Sequence, residues 1–299
     1  LSRHRARDLI NLAAIAAAAV AVGGVMRGRA AREAERAFAA RFPRGVDGVV
    51  SGAEGFRLHG TNGRALLLLH GLGDTPQSLR YLGDRLHAAG YTVHAPLLPG
   101  HGRGLREFAD ASAARYLEAV RRELDWLESA SDWVGLVGLS MGGALATRLA
   151  AASPRVRVLV LLAPYLEAPP LVQWLARTAP LWGLLVPYLA GRGETSVHDP
   201  VARSASRAYG VFTPRAVRAL VATAAAARHS LAAVTAPTLM VHSREDNRIP
   251  SELAERASGT LRAPTERHWV AGCGHVITVD FCRDAVASRV LDFLARHTG

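Results

Sequence analysis

The chain contains no lysine: all 36 of its basic residues are arginine, set against 25 Asp and Glu in 299 residues. An arginine-only, alanine-rich chain is what a GC-rich coding sequence produces, and that accounts for much of the formal charge of +11. Aromatic residues make up 6% of the chain, and no basic stretch is interleaved with them. That excludes the aromatic and basic surface a nucleic-acid binder uses, and no nucleic acid is expected as a partner. The sequence also lacks a P-loop, a dinucleotide fingerprint and any His, Cys, Asp or Glu run with metal-ligand spacing, so no cofactor and no metal is implied. Two cysteines, Cys273 and Cys282, are too few for a disulfide scaffold. They read as free thiols by default, and as a pair if the domain faces an oxidising compartment.

Against those absences stands a 49% hydrophobic content, enough at this length for one α/β domain with an inserted subdomain and a well-filled core. General disorder is excluded. The basic charge is uneven, with nine arginines against three acids in residues 1–44. Residues 9–26 are apolar except for Asn11 and follow Arg3, Arg5 and Arg7. Three readings are open: a short membrane anchor, a signal peptide with small residues around 19–24, or a soluble alanine-rich helix. The first two give a membrane-anchored or exported protein, the third a cytoplasmic one. Residues 30–41 alternate charge and alanine and read as an exposed connecting helix, with Glu35 among the residues turned away from Phe38 and Phe42. Residues 1–45 thus form a segment of their own, and the sequence leaves the oligomeric state open.

The most informative stretch is Gly138-Leu139-Ser140-Met141-Gly142. It lies between an apolar run ending at Leu139 and an alanine-rich helical stretch beginning at Met141. Strand, tight turn, helix is the order that forces the central residue into a strained conformation, and the flanking glycines remove the Cβ atoms that would collide. The Ser140 hydroxyl then stands at the positive end of a helix, where the Met141 N–H can stabilise a developing negative charge. A serine nucleophile of this kind needs a second oxyanion donor, a carboxylate and a histidine, in that chain order. Leu66-Leu67-Leu68-Leu69-His70-Gly71 is a buried strand running into a turn, which makes the Leu72 N–H the second donor. Thr238-Leu239-Met240-Val241-His242 is another such strand and empties into a loop carrying Glu245 and Asp246. Gly272-Cys273-Gly274-His275 places a histidine in a glycine-flanked loop before the last helix.

These motifs, with Leu98-Pro99-Gly100-His101-Gly102 and His275-Val276-Ile277-Thr278-Val279-Asp280, resemble those of bacterial carboxylesterases and monoacylglycerol lipases of the α/β-hydrolase superfamily. The likeness runs from about residue 52 to the C-terminus. It implies a Ser140, Asp246, His275 triad, with Leu72 and Met141 as the oxyanion donors. Leu72 stands where that group often has Phe, which leaves the backbone donor intact and affects only the shape of the acyl pocket. The likeness also makes His101 structural, and favours Asp246 over Glu245, which is read as solvated or paired with an arginine.

Strands alternating with helices of 10 to 15 residues predict an α/β-hydrolase fold, a mostly parallel doubly wound sheet. Its core takes residues 46–164 and 231–299, with short antiparallel strands first, from residues 46–56. Thr75-Pro76 reads as a helix start with a capping hydroxyl. Residues 165–230 break the alternation and read as a strandless helical cap inserted after the sixth strand. Tyr165, Trp174 and Trp182 are its candidate substrate contacts with Leu72, although the same aromatics would equally glue the cap to the core. An apolar cap beside a serine nucleophile suits a fatty acyl chain, since each buried methylene contributes roughly 0.8 kcal/mol. The expected partner is a small-molecule ester of short to medium acyl length, or a monoacylglycerol. Residues 9–26 add the expectation of membrane association. Thioesterase or acyltransferase, amidase and perhydrolase activities on the same fold are the alternatives, and a catalytically silent binding protein is the alternative of another class.

Overall fold

A computed structural model describes residues 3–110, 112–191 and 196–297. The elements in chain order are α1 (Arg3–Arg41), β1 (Phe56–Leu58), β2 (Arg64–Leu69), α2 (Gln77–Ala88), β3 (Thr92–Ala95), α3 (Leu105–Ala109), α4 (Ala113–Ala130), β4 (Trp133–Leu139), α5 (Met141–Ala152) and β5 (Val156–Leu162). They continue with α6 (Pro170–Trp182), β6 (Leu189–Ala190), α7 (Pro200–Ala205), β7 (Val211–Phe212), α8 (Pro214–Ser230), β8 (Thr238–Ser243), α9 (Ser251–Ser258), β9 (Thr265–Val270) and α10 (Arg283–Arg296).

The described residues form a seven-stranded sheet in the order β1-β3-β2-β4-β5-β8-β9, an α/β-hydrolase fold. Only β1 runs antiparallel, against β3. A central parallel strand is buried on both faces and so reads as an unbroken apolar run. In β2 the period of two sends Leu67 and Leu69 into one hydrophobic cluster, with residues of α4, α5 and α8, and Leu66 and Leu68 into the other, with residues of α2 and α10. All four are fully buried, each contributing roughly 1.5–3 kcal/mol by removal from water.

Topology then sets the site. The chain runs from β2 outward to β3 and returns to β4 on the other side of β2, so the sequence order reverses between β2 and β4. Ligands bind at such a reversal, beyond the carboxyl ends of the strands. Leu69 is in register with Gly138, and Ser243 with Val270. The first pairing sets the loop after β2 beside the turn after β4, and the second sets the loops after β8 and β9 side by side.

Several local expectations are corrected. Residues 46–56 yield only a bridge, Arg44 to Val50, before β1, so the insertion between β5 and β8 follows the fifth strand rather than the sixth. That insertion holds α6, α7 and α8 but also a two-stranded antiparallel ribbon, β6 with β7. Thr75 does not cap α2: Pro76 already has helical angles (φ −56°, ψ −18°), and the Thr75 hydroxyl is buried with no hydrogen-bond partner among the described residues. Residues 30–41 are the end of one continuous helix and are not simply exposed. Phe38 and Phe42 are buried, the Phe38 ring packs at a tilt 4.9 Å from that of Tyr209, and Glu35 accepts from Arg106 (2.9 Å) and the Tyr188 hydroxyl (3.0 Å). The side chains of residues 3–19 lie outside the described part, so the apolar stretch 9–26 is seen side chain by side chain only from Val20 onward. Among the described residues, no helix is long and apolar enough to cross a membrane.

Candidate active site

Ser140 is the hinge of the turn between β4 and α5 and adopts φ 54°, ψ −118°, a region costly for any residue with a Cβ. The strain is held by close backbone approach on both sides. A Cβ on Gly138 would lie 2.3 Å from the Gly142 carbonyl oxygen, and one on Gly142 would lie 2.0 Å from the Leu69 carbonyl oxygen. Only glycine lets β2, β4 and α5 meet this closely.

The structure brings Ser140, His275 and Asp246 together. His275 Nε2 lies 2.8 Å from Ser140 Oγ, and His275 Nδ1 lies 2.7 Å from Asp246 Oδ2. Because the carboxylate is the acceptor at Nδ1, the proton of neutral His275 sits there and the Nε2 lone pair faces the serine hydroxyl. Asp246 is itself fixed, its Oδ1 accepting the Arg248 N–H (2.7 Å) and the Ile249 N–H (2.9 Å). Burial alone would raise its pKa, but the charge and hydrogen bond of His275, with help from His242 and the Ile249 N–H, hold it below the usual carboxylate value. His242 lies fully buried beside the carboxylate, Nε2 to Oδ2 3.6 Å, and donates to the Ile249 carbonyl (3.0 Å).

The two expected oxyanion donors flank the serine. Among the described residues neither the Leu72 N–H nor the Met141 N–H donates to a protein acceptor. Two buried histidines brace the loop that carries Leu72. His70 accepts the Leu98 N–H (3.0 Å), and His101 accepts the Gly73 N–H (3.0 Å) while donating to the Pro99 carbonyl (3.1 Å). Their rings meet edge to face at 5.0 Å. Burial drives His101 down to about 4 and His70 well below the ordinary imidazole value, so both stay neutral struts.

Asp280 performs a role that sequence reasoning did not reach. Fully buried, its carboxylate accepts four backbone N–H groups: His198 (2.8 Å) and Gly274 (2.7 Å) at Oδ2, Asp199 (2.8 Å) and Phe281 (2.9 Å) at Oδ1. It ties the segment before α7 to the loop of His275. The same loop is closed by a disulfide between Cys273 and Cys282, which corrects the expectation of free thiols. Glu245 is half-exposed, as the solvated alternative expected, and among the described residues no arginine pairs with it. It accepts the Gly272 N–H (2.7 Å) and lies 3.7 Å from His198 Nδ1. The alternation of hydrophobic residues carries no trace of such side-chain to backbone bonds.

A cavity of about 140 Å³ opens onto Ser140 and His275. Of the expected substrate contacts, Leu72 and Tyr165 line it and Trp174 and Trp182 do not. Trp174 points outward from α6 with 57% of its surface exposed, and Trp182 turns its indole N–H back onto the Leu175 carbonyl (2.9 Å). A 3.6-residue repeat places both on a helix but does not say which face meets the cavity. Val197, Val211, Phe212, Val276 and Val279 supply apolar wall instead, and Asp74 and Arg248 line it as charged groups unforeseen from sequence. Burial pushes the Asp74 carboxyl up to about 6, against the pull of Ser78, the Thr75 N–H and His275.

The profile of the Hydrolase_4 family, described as serine aminopeptidase, S33, matches residues 61–281. The chain is 28% identical to the thermostable monoacylglycerol lipase of Bacillus sp. (strain H-257), over 84% of this chain and 98% of that protein. It is 26% identical to a carboxylesterase of Bacillus subtilis (strain 168), over 78% of this chain and 93% of that one. Among solved structures it is similar to one reported with two metagenome-derived lipolytic enzymes, with 30% identity, a TM-score of 0.76, and coverage of 83% of this chain and 100% of that chain.

Proposed function

The chain belongs to the Hydrolase_4 family of serine hydrolases, and from that premise we propose that it cleaves carboxylic esters through an acyl-enzyme on Ser140. The observation that carries the reading is the unbroken chain of contacts from Ser140 Oγ through His275 to Asp246, 2.8 Å and 2.7 Å. His275 takes the Ser140 proton as the hydroxyl attacks the ester carbon, while Asp246 holds the tautomer and stabilises the imidazolium. The Leu72 and Met141 amides receive the oxyanion, each donor being worth ~10² to 10³ in turnover. His275 then protonates the departing alcohol, and later draws a proton from the water that frees the acid.

The proposed substrates are esters of short to medium acyl chains, monoacylglycerols among them. The largely apolar cavity wall and the monoacylglycerol lipase and carboxylesterase relatives support this. The family's description as a serine aminopeptidase favours a second reading, amide cleavage at the same serine. Turnover of p-nitrophenyl esters of graded length, 1-monoacylglycerols and amino-acid p-nitroanilides separates the two. Flat activity across acyl lengths would contradict the lipid-like choice, and anilide turnover exceeding ester turnover would contradict the esterase reading.

We also propose that the protein attaches to a membrane surface and works outside the reducing cytoplasm. Val20, Val22, Val25 and Met26 of α1 are exposed, as are Leu181, Leu184 and Leu185, and a Cβ on Gly23 would lie 3.3 Å from Leu185. An apolar patch beside an arginine-rich helix suits an anionic lipid surface, and a disulfide persists in oxidising compartments. Co-flotation of the full chain with phosphatidylglycerol vesicles, abolished by Leu184→Glu with Leu185→Glu, is the expected outcome. No flotation would contradict the attachment.

A further inference from the structure

Arg248 stands two residues past the carboxylate of the triad, and its side chain lines the same cavity as Ser140 and His275. Its Nε donates to Ser196 Oγ (2.8 Å), and its guanidinium carbon lies 5.7 Å from the centre of the Phe212 ring. Ser196 is in turn held to the catalytic loop, its carbonyl accepting the Val276 N–H at 3.0 Å. The head group is therefore fixed by one hydrogen bond and one ring. The Asp246 charge is felt by Arg248, but among the described residues no carboxylate oxygen forms an ion pair with its head group, and its Nε bond to Ser196 is the side-chain hydrogen bond seen there. The nearby Asp246 carboxylate is already occupied by His275 and two backbone N–H groups. Asp74, the other charge on the cavity wall, spends one oxygen on the Thr75 N–H (2.8 Å) and interacts with His275 rather than with Arg248.

A guanidinium partly stripped of water, with its bidentate edge unspent beside a nucleophile, is matched by an anionic oxygen group placed on the edge of the fork. We infer that Arg248 selects esters that carry a carboxylate or phosphate, holding that group while the ester carbonyl reaches Ser140. The inference rests on the esterase reading and narrows its substrate class. A charge-assisted bidentate contact of this kind favours the anionic ester over its neutral counterpart by roughly tenfold to a hundredfold in kcat/KM.

Two pairs of substrates test it on the full-length protein. In the first the charge is on the alcohol side, 1-decanoylglycerol 3-phosphate against 1-decanoylglycerol. In the second it is on the acyl side, p-nitrophenyl hydrogen glutarate against p-nitrophenyl valerate. The expected result is a preference of tenfold or more for the anionic member of at least one pair, reduced at least tenfold by Arg248→Met. The wild-type preference must also fall as salt is raised, since a half-exposed ion pair is screened, and this readout stands even if the variant does not fold. Preference for the neutral member of both pairs, a ratio unchanged in Arg248→Met, or a ratio flat in salt overturns the inference. If the neutral esters are turned over and the anionic ones are not, the role of Arg248 alone falls. If none of the four is turned over, the esterase reading falls with it.

Discussion

Asp280→Asn puts the architecture of the catalytic loop to the test. The carboxylate accepts two N–H groups on each oxygen, so an amide of the same shape keeps one acceptor and turns an NH₂ group toward the other pair. Two charge-assisted hydrogen bonds at about 1.5–3 kcal/mol each are lost. Part of that is offset because a neutral amide costs less to bury than a carboxylate, leaving a net loss of roughly 2–4 kcal/mol. For a chain of this size that lowers Tm by roughly 3–6 °C. The hydrogen bonds outweigh burial and hold Asp280 below the usual carboxylate value, so its contribution is present above the unfolded pKa and is lost as pH falls through the folded one. Wild-type stability should therefore begin to drop on acidification below pH ~4, and the gap to the variant should start to narrow there. Urea unfolding at pH 7.5 and at pH 3.5, with kcat/KM on p-nitrophenyl butyrate at pH 7.5, supplies the readings. Loss of the Gly274 anchor next to His275 should lower kcat/KM at least tenfold. A variant within 1 kcal/mol of wild type at pH 7.5, with unchanged turnover, would refute the reasoning.

Other perturbations have equally definite outcomes. Gly142→Ala forces a Cβ to within 2.0 Å of the Leu69 oxygen, and displacing the start of α5 by about 1 Å should cost ~10² in kcat/KM. Gly24→Ala, where no atom lies within 4 Å, serves as its control and should leave kcat/KM unaltered. Asp74→Asn should stabilise the protein above pH 6 by up to about 3 kcal/mol, because the folded state holds this proton up to about 6 and the unfolded chain releases it near 3.8. Urea titrations should show that gain vanishing below pH ~4; a gain independent of pH would contradict it. Replacing Cys273 and Cys282 by alanine removes a cross-link across a separation of nine residues and should cost about 2–3 kcal/mol in thermal unfolding. Equal Tm values with and without the cross-link would count against it.

What was legible in the sequence was whatever the backbone imposes. The apolar runs ending at Leu69, Leu139 and Val241 announce parallel strands, and the glycines around Ser140 announce a turn that only they permit, so the fold could be read in advance. The residues expected to form the triad, Ser140, Asp246 and His275, lie together because neighbouring strands in this order deliver their loops to one edge. Less legible was anything decided by a side chain meeting a distant backbone. Asp280 gathers N–H groups from residues about 80 positions away, and Arg248 looks like any loop arginine until Ser196 and Phe212 are seen against it. Trp174 and Trp182 show the converse: composition marked the helix that carries them, but helical periodicity did not say which face turns toward the cavity.

The most direct test of the central claim is mass spectrometry of the enzyme quenched during turnover of p-nitrophenyl butyrate. A burst of one p-nitrophenolate per active chain and a butyryl group on the peptide containing Ser140 are expected, both absent in Ser140→Ala. Ester turnover that survives in Ser140→Ala, or an acyl group found on any other residue, would contradict it.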